Sequence, residues 1–225
     1  MARSRIEFTA DEDAALFDRD GAFDVEVGGT IVLATDRQQA NQAFAELALG
    51  PWQGRDDITV LLGGLGSGLL LKEILAVPGV VRVDVIEASA AIIDWERRHF
   101  AALNGGATSD PRVRVHHGEI AAFVQARAQP DAPADGWSAL LLDTDEPPQL
   151  ISRAGNALFY KDDGLGLLEG PLRGGGVLGI WTTEKDDGLL KSMHRRLQGV
   201  ARIGAGGDQG LVYVHRGRRG PRHAH

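Results

Sequence analysis

The stretch Thr59–Glu87, TVLLGGLGSGLLLKEILAVPGVVRVDVIE, constrains the fold of this chain more than any other segment. It reads as an apolar strand, a glycine-rich turn, a helix, and a second strand that ends in an acid. Such an order builds a pocket for an adenosine-bearing cofactor. The turn brings backbone N–H groups and a helix N-terminus to the ligand, and the acid grips ribose hydroxyls. The glycines are Gly63, Gly64, Gly66 and Gly68, and Glu87 follows about 20 residues later, the spacing of a ribose-binding acid. After the G-x-G-x-G run the next position is Leu69, where a dinucleotide fingerprint carries its third glycine. That substitution argues against NAD.

The flanking segments extend this unit into an α/β domain. Ile58–Leu62 is continuously apolar, as a strand covered on both sheet faces should be. The pattern predicts helices over Leu69–Val77 and Ala90–Leu103, with a strand over Val80–Ile86 between them. A strand at Arg112–Val115, a helix over Glu119–Ala128 and a strand at Trp137–Leu142 follow. Beyond them come a helix over Leu158–Leu172, a strand at Gly176–Thr182 and a helix over Asp187–Gln198. Val200–Ile203 and Leu211–His215 flank a glycine-rich turn and read as a closing hairpin. Upstream, Ala22–Val27 and Thr30–Ala34 alternate around Gly28-Gly29, a hairpin signal. A helix over Asp36–Leu49, with Asp36 as its cap and Phe44 on its apolar stripe, links that hairpin to the rest. The expected organisation is residues 1–55 as a β-hairpin region and linking helix, 56–215 as a doubly wound α/β domain, and 216–225 as a basic flexible tail.

Composition narrows the functional classes. A net charge of −7 argues against a nonspecific nucleic-acid binder, which needs a basic field. The absence of cysteine removes disulfides, thiolate metal sites and cysteine nucleophiles. No apolar run reaches the roughly 20 residues that span a bilayer, and the first residues, MARSRIEFTADEDAALF, lack a signal peptide's apolar stretch. The expectation is a cytoplasmic protein without membrane, nucleic-acid or metal partners.

In an open α/β sheet, ligands sit at the carboxyl ends of the strands. Four groups are expected there: the glycine turn, Glu87, Glu119 and Asp143. Glu119 taken alone reads as a helix cap, yet a carboxylate in that place can also accept an adenine amino N–H. Asp143 opens the acidic run Asp143-Thr144-Asp145-Glu146, suited to a cationic ligand or to proton transfer. His116 and His117 are adjacent on a strand end and face opposite sides, which makes a poor metal pair. Ser67 lacks a nucleophile-elbow context. Trp181 either lines a substrate pocket or packs; Trp95 and Phe100 read as core.

The segments Gly63–Glu73, Val83–Glu87, Arg112–Glu119 and Leu140–Pro147 resemble the spermidine synthase family, the polyamine aminopropyltransferases. The resemblance runs from about Phe23 to Val214. It implies a Rossmann-like fold of the class I S-adenosylmethionine-dependent methyltransferase type, with S-adenosylmethionine or its decarboxylated form as cofactor, a small amine acceptor and a homodimer. It implies that Glu87 holds the ribose, that Glu119 stands in for an adenine-contacting Asp, and that Asp143 is the catalytic base. Two positions depart from the family pattern. Ser67 replaces the Asp that binds the aminopropyl amine and repels a carboxylate, and Phe44 replaces a diamine-contacting Tyr. Asp145 and Glu146 fall in the acceptor loop, Glu146 keeping the charge of the family's second acid on a longer arm. Alkyl transfer, either aminopropyl or methyl, is therefore expected, the alternative being a non-catalytic protein that retains the fold.

Overall fold

The computed structural model describes residues 3–37, 41–126, 132–143, 162–182, 187–196, 201–204 and 211–216. It begins with an antiparallel sheet of four strands in sequential order, β1 (Ser4–Thr9), β2 (Ala14–Arg19), β3 (Ala22–Val27) and β4 (Thr30–Ala34). The predicted hairpin is β3–β4, with Val27 opposite Thr30 across the two glycines. The two strands before it exceed the sequence-based expectation. Their signal is Asp20-Gly21, a two-residue turn with φ of 54° and 90° that sets Arg19 opposite Ala22.

The second sheet has seven strands: β5 (Ile58–Gly63), β6 (Val80–Glu87), β7 (Val113–His117), β8 (Trp137–Leu142), β9 (Leu172–Thr182), β10 (Ala201–Gly204) and β11 (Leu211–Arg216). Their spatial order is β10-β11-β9-β8-β5-β6-β7. Strands β5 to β9 are parallel, while β11 runs antiparallel to both β9 and β10. From β5 the chain moves outward to β6 and β7, then returns to the other side of β5 as β8. The strand order reverses there, which places a crevice at the carboxyl ends of β5 and β8.

Alternation along the central strands feeds two cores. Val60 and Leu62 of β5, with Ala139 and Leu141 of β8, pack on α1 (Asn41–Leu49) and α2 (Leu69–Ala76). Leu61, Leu140 and Leu142 point to the opposite face, against α5 (Ile120–Gln125), α6 (Asp162–Glu169) and α7 (Asp187–Arg196). Burial on both faces is why these strands carry no polar alternation. A third core joins Leu16, Val25 and Leu33 of the N-terminal sheet to Trp95 and Phe100, so both aromatics are core as expected. They belong to the segment after β6, where α3 (Ala90–Trp95) passes through a π turn, Glu96–Phe100, into α4 (Ala101–Asn104).

Several boundaries correct the sequence reading. Asp36 lies in a 3-10 turn, Thr35–Arg37, ahead of α1, which begins at Asn41, and accepts from the Arg19 guanidinium at 2.8 Å. The helix α6 ends at Glu169, and Leu172, expected at the end of that helix, instead opens β9 opposite Trp137. The Gly174–Gly176 run is therefore strand, with the register shift between Trp137 and Ala139 accommodating it. The helix expected over Ala90–Leu103 is interrupted by the π turn. Strand β11 takes in Arg216, and the remainder of the expected tail lies outside the described residues. Among the described residues no helix is long and apolar enough to cross a membrane.

Candidate functional site

The glycine turn is stitched into the strand ends on both sides. Gly64 N–H donates to the Ile86 carbonyl on β6 at 2.9 Å, and Asp143 N–H donates to the Gly63 carbonyl at 2.9 Å. At Gly64 φ is 97°, and a Cβ there would lie 2.4 Å from the Asp143 carbonyl oxygen. Only glycine lets the turn approach the end of β8 so closely. Gly68, with φ 75°, precedes the first residue of α2, and its carbonyl accepts the Lys72 N–H at 3.0 Å. Gly66 faces the N-terminal sheet, where a Cβ would meet Leu33 at 3.5 Å.

Glu87, the last residue of β6, is buried, with 7% of its surface exposed. One carboxylate oxygen accepts the Leu65 N–H of the glycine turn at 2.8 Å, and the other accepts the Ser89 N–H at 2.8 Å. These two backbone donors fix the plane of the carboxylate and suit its charged form. Ser89 then caps α3, its hydroxyl oxygen accepting the Ile92 N–H at 3.0 Å. Glu12, in the turn between β1 and β2, reaches the same helix end and accepts the Ala91 N–H at 3.1 Å.

Glu119 comes beside Glu87 because the Gly118 N–H donates to the Glu87 carbonyl at 2.8 Å. It occupies the N-cap position of α5, but its side chain makes no capping bond; only its carbonyl serves the helix, accepting the Phe123 N–H at 3.0 Å. Asp143 is half-buried directly after β8. The structure thus gathers Gly63, Gly64, Gly66, Gly68, Glu87, Glu119 and Asp143 at one edge of the sheet.

The remaining candidates fall differently. Ser67 is 1% exposed, and its carbonyl accepts the Asn104 side-chain amide at 2.8 Å. Phe44 on α1 is buried in the core, its ring 6.2 Å from that of Trp181 at a tilt of 36°. Of the two readings of Trp181, packing is the one this contact supports. A Cβ on Gly179 would come within 2.7 Å of the Phe44 ring, so β9 is narrowed to seat that aromatic. Asp145 and Glu146 lie outside the described residues. His116 and His117 take separate partners, Asp84 and the Ala88 carbonyl, each at 3.2 Å.

One charged cluster joins the N-terminal sheet to the helical segment after β6. Glu7 on β1 accepts hydrogen bonds from Arg98 and from Trp95 Nε1, the latter at 3.0 Å, and lies 2.6 Å from His99 Nε2. The Arg98 guanidinium, with help from His99 and Trp95, lowers the Glu7 pKa from its ordinary 4.5 to about 2, against the opposing effect of burial. Sequence reasoning missed this cluster and missed Glu96, Asn104 and Thr108, which meet behind the glycine turn. In the sequence Asn104 stands just after the predicted helix Ala90–Leu103, before Gly105-Gly106, with no signal of its own.

No protein-family model matches the chain. Among curated proteins, Polyamine aminopropyltransferase 2 of Streptomyces coelicolor is 33% identical over 146 residues, covering 64% of this chain and 25% of that protein. Putrescine N-methyltransferase 2 of Nicotiana attenuata is 34% identical over 88 residues, 39% of this chain and 22% of its own length. The chain thus spans about a quarter of the length of the curated relatives it matches. Among solved structures, a spermidine synthase in complex with the transition state analogue AdoDATO superposes with a TM-score of 0.74 at 13% identity, covering 97% of this chain and 75% of that one. The spermidine synthase from Thermotoga maritima gives 0.70 at 14% identity, covering 97% and 74%. The chain is accordingly spermidine synthase-like, related in sequence to the polyamine aminopropyltransferases and built on the spermidine synthase fold, a Rossmann-like α/β domain of class I methyltransferase type behind an antiparallel N-terminal sheet.

Proposed function

We propose that this chain binds S-adenosylmethionine or its decarboxylated form at the carboxyl edge of β5, β6 and β8, and that it transfers an alkyl group from that cofactor to a small amine. The observation that carries the reading is the bond from Leu65 N–H to Glu87, which makes the glycine turn and the acid one preorganised unit at the switch point of the sheet. Relatives named for aminopropyl transfer and for putrescine N-methylation support the substrate class. The donor set fits an adenosyl group: an oriented carboxylate for the ribose hydroxyls, Glu119 beside it for the adenine amino group, and a glycine cradle that side chains would fill.

When bound, the cofactor supplies an electrophilic carbon next to a sulfonium. Glu87 and the turn hold the adenosine half of that ligand in place, so orientation is set before reaction. Asp143, fixed by its backbone bond to Gly63, takes the proton of the attacking amine. Ser67 leaves no anion in the turn to repel a cofactor carboxylate, which favours S-adenosylmethionine and methyl transfer over the decarboxylated form. The same chain with its acceptor side altered would bind the cofactor without turnover; Phe44, packed into the core where a diamine-contacting Tyr is expected, is the observation behind that second reading.

The test is calorimetry with S-adenosylmethionine, its decarboxylated form and methylthioadenosine, followed by product analysis with a panel of diamines. Binding of at least one is expected, with transfer to an amine. Binding of none overturns the proposal, and binding without product from any amine selects the non-catalytic reading.

A further inference from the structure

Behind the glycine turn lies a closed set of hydrogen bonds that no contact with a ligand explains. The Asn104 side-chain Nδ2 donates to the Ser67 carbonyl at 2.8 Å and to Glu96 Oε1 at 2.7 Å. Its Oδ1 accepts the backbone N–H groups of Gly106 at 2.9 Å and Ala107 at 3.0 Å. Glu96 Oε2 accepts the Thr108 hydroxyl at 2.7 Å. Glu96 is 0% and Asn104 2% exposed. An amide has two N–H donors and two oxygen lone pairs, and here all four are engaged. Turning the amide over would set its N–H groups against two backbone donors and its oxygen against a carbonyl and a carboxylate. Its orientation is therefore determined.

A π turn joins α3 to α4 where this contact forms. Residues eight apart on a straight α-helix stand about 12 Å apart along the axis, farther than these two side chains bridge. The π turn Glu96–Phe100 lies between them and changes the local rise and phase. Gly68 completes the fit, since a Cβ there would lie 2.5 Å from Asn104 Nδ2 and 3.1 Å from Glu96 Oε1.

From this cluster a route of hydrogen bonds reaches the ribose acid. The Ser67 carbonyl and the Gly68 N–H share one peptide plane. The carbonyl is held by Asn104, and the N–H donates to the Leu65 carbonyl at 2.9 Å. Leu65 in turn gives its own N–H to Glu87. We infer that Glu96 and Asn104 are positioning residues for the cofactor site: by fixing the Ser67–Gly68 peptide they set the aim of the turn and of the Glu87 carboxylate that binds to it. This rests on the cofactor reading above.

Asn104→Asp tests the inference, because it keeps an oxygen for Gly106 and Ala107 and turns another oxygen toward the Ser67 carbonyl and Glu96. Methylthioadenosine affinity by calorimetry is expected to fall about tenfold or more in the folded variant. Hydrogen exchange of the amides of residues 64–68 is expected to quicken by a similar factor without ligand. Thr108→Val, which removes only one donor to Glu96, gives a milder change of about threefold to fivefold in both readouts and serves if Asn104→Asp does not fold. Glu96→Gln still offers Asn104 an acceptor and is expected to stay within about threefold of wild type. Folded Asn104→Asp or Thr108→Val with wild-type affinity and wild-type exchange at 64–68 overturns the inference, as does Glu96→Gln behaving like Asn104→Asp. If the wild type binds no adenosyl ligand the cofactor reading fails, and the exchange rates of the ligand-free variants still decide whether the cluster holds the turn.

Discussion

The Leu65 N–H and the Glu87 carboxylate meet at 2.8 Å across 22 residues of sequence, so the turn after β5 and the end of β6 are tied together before any ligand arrives. Helix α2 lies between them in the chain, and the bond closes the β5–α2–β6 unit at its open end. Ordering of the acid is thereby met on folding, which lowers what binding must supply.

Replacing Glu87 removes the proposed ribose contact and the side-chain acceptor of two backbone N–H groups. Hydrogen bonds to a charged group contribute about 1.5–3 kcal/mol each, so Glu87→Ala is expected to weaken S-adenosylmethionine or methylthioadenosine binding by about 10- to 100-fold. The Leu65 and Ser89 N–H groups also lose their acceptor, and the melting temperature is expected to fall. Calorimetry and a thermal melt on the same preparation check both effects. An unchanged dissociation constant would remove Glu87 from the site.

Ser67→Asp restores an anion at a buried position of the turn. A unit charge about 5 Å from a carboxylate, at an effective dielectric of about 20, is worth roughly 3 kcal/mol before screening. The ratio of affinities for decarboxylated over ordinary S-adenosylmethionine is therefore expected to rise by about tenfold or more. Competition binding with the two cofactors measures it directly; an unmoved ratio means that residue 67 does not read the carboxylate.

At Gly64 a methyl group meets both an unfavourable backbone angle and the Asp143 carbonyl. The left-handed conformation costs a non-glycine residue about 1–2 kcal/mol, and overpacking adds about 1–3 kcal/mol. With a shift of about 2–4 °C per kcal/mol for a chain of this size, Gly64→Ala should melt about 4–20 °C lower. Differential scanning calorimetry of the two proteins decides it.

Glu7 gives the N-terminal sheet a pH-dependent attachment. Its pKa in the folded protein, about 2, lies below the ordinary 4.5, so folding favours the ionised form. That contribution is complete above pH 4.5 and is lost as the pH falls toward 2. Wild type should therefore lose more stability than Glu7→Gln between pH 6 and about 2.5. Parallel loss in the two proteins, followed by thermal melts across that range, would show that the cluster contributes nothing.

The central parallel strands were legible because β5 and β8 are near-continuous apolar runs, and β8 falls on the predicted residues Trp137–Leu142. The strand β1 was not, for a physical reason. It turns Ile6 and Phe8 outward, 41% and 52% exposed, while Glu7 pairs opposite the buried Leu16. Its pattern is the inverse of the apolar-in, polar-out alternation by which strands are recognised. The glycine run of β9 misled in another way, since the strand is expected to begin only at Gly176 although it runs from Leu172. At the site, glycines and strand-end acids follow from chain order alone. The Glu96–Asn104 contact does not, because neighbours on a helix are three or four residues apart and a π turn leaves no periodic trace.

Two of the turn's glycines answer to neighbours within the protein itself, Gly64 to the Asp143 backbone and Gly68 to the Asn104 side chain. Architecture would keep them in place even in a descendant that had stopped binding any nucleotide. For searching genomes, then, these two glycines mark ancestry and shape, and their presence alone is no sign that ligand binding has been retained.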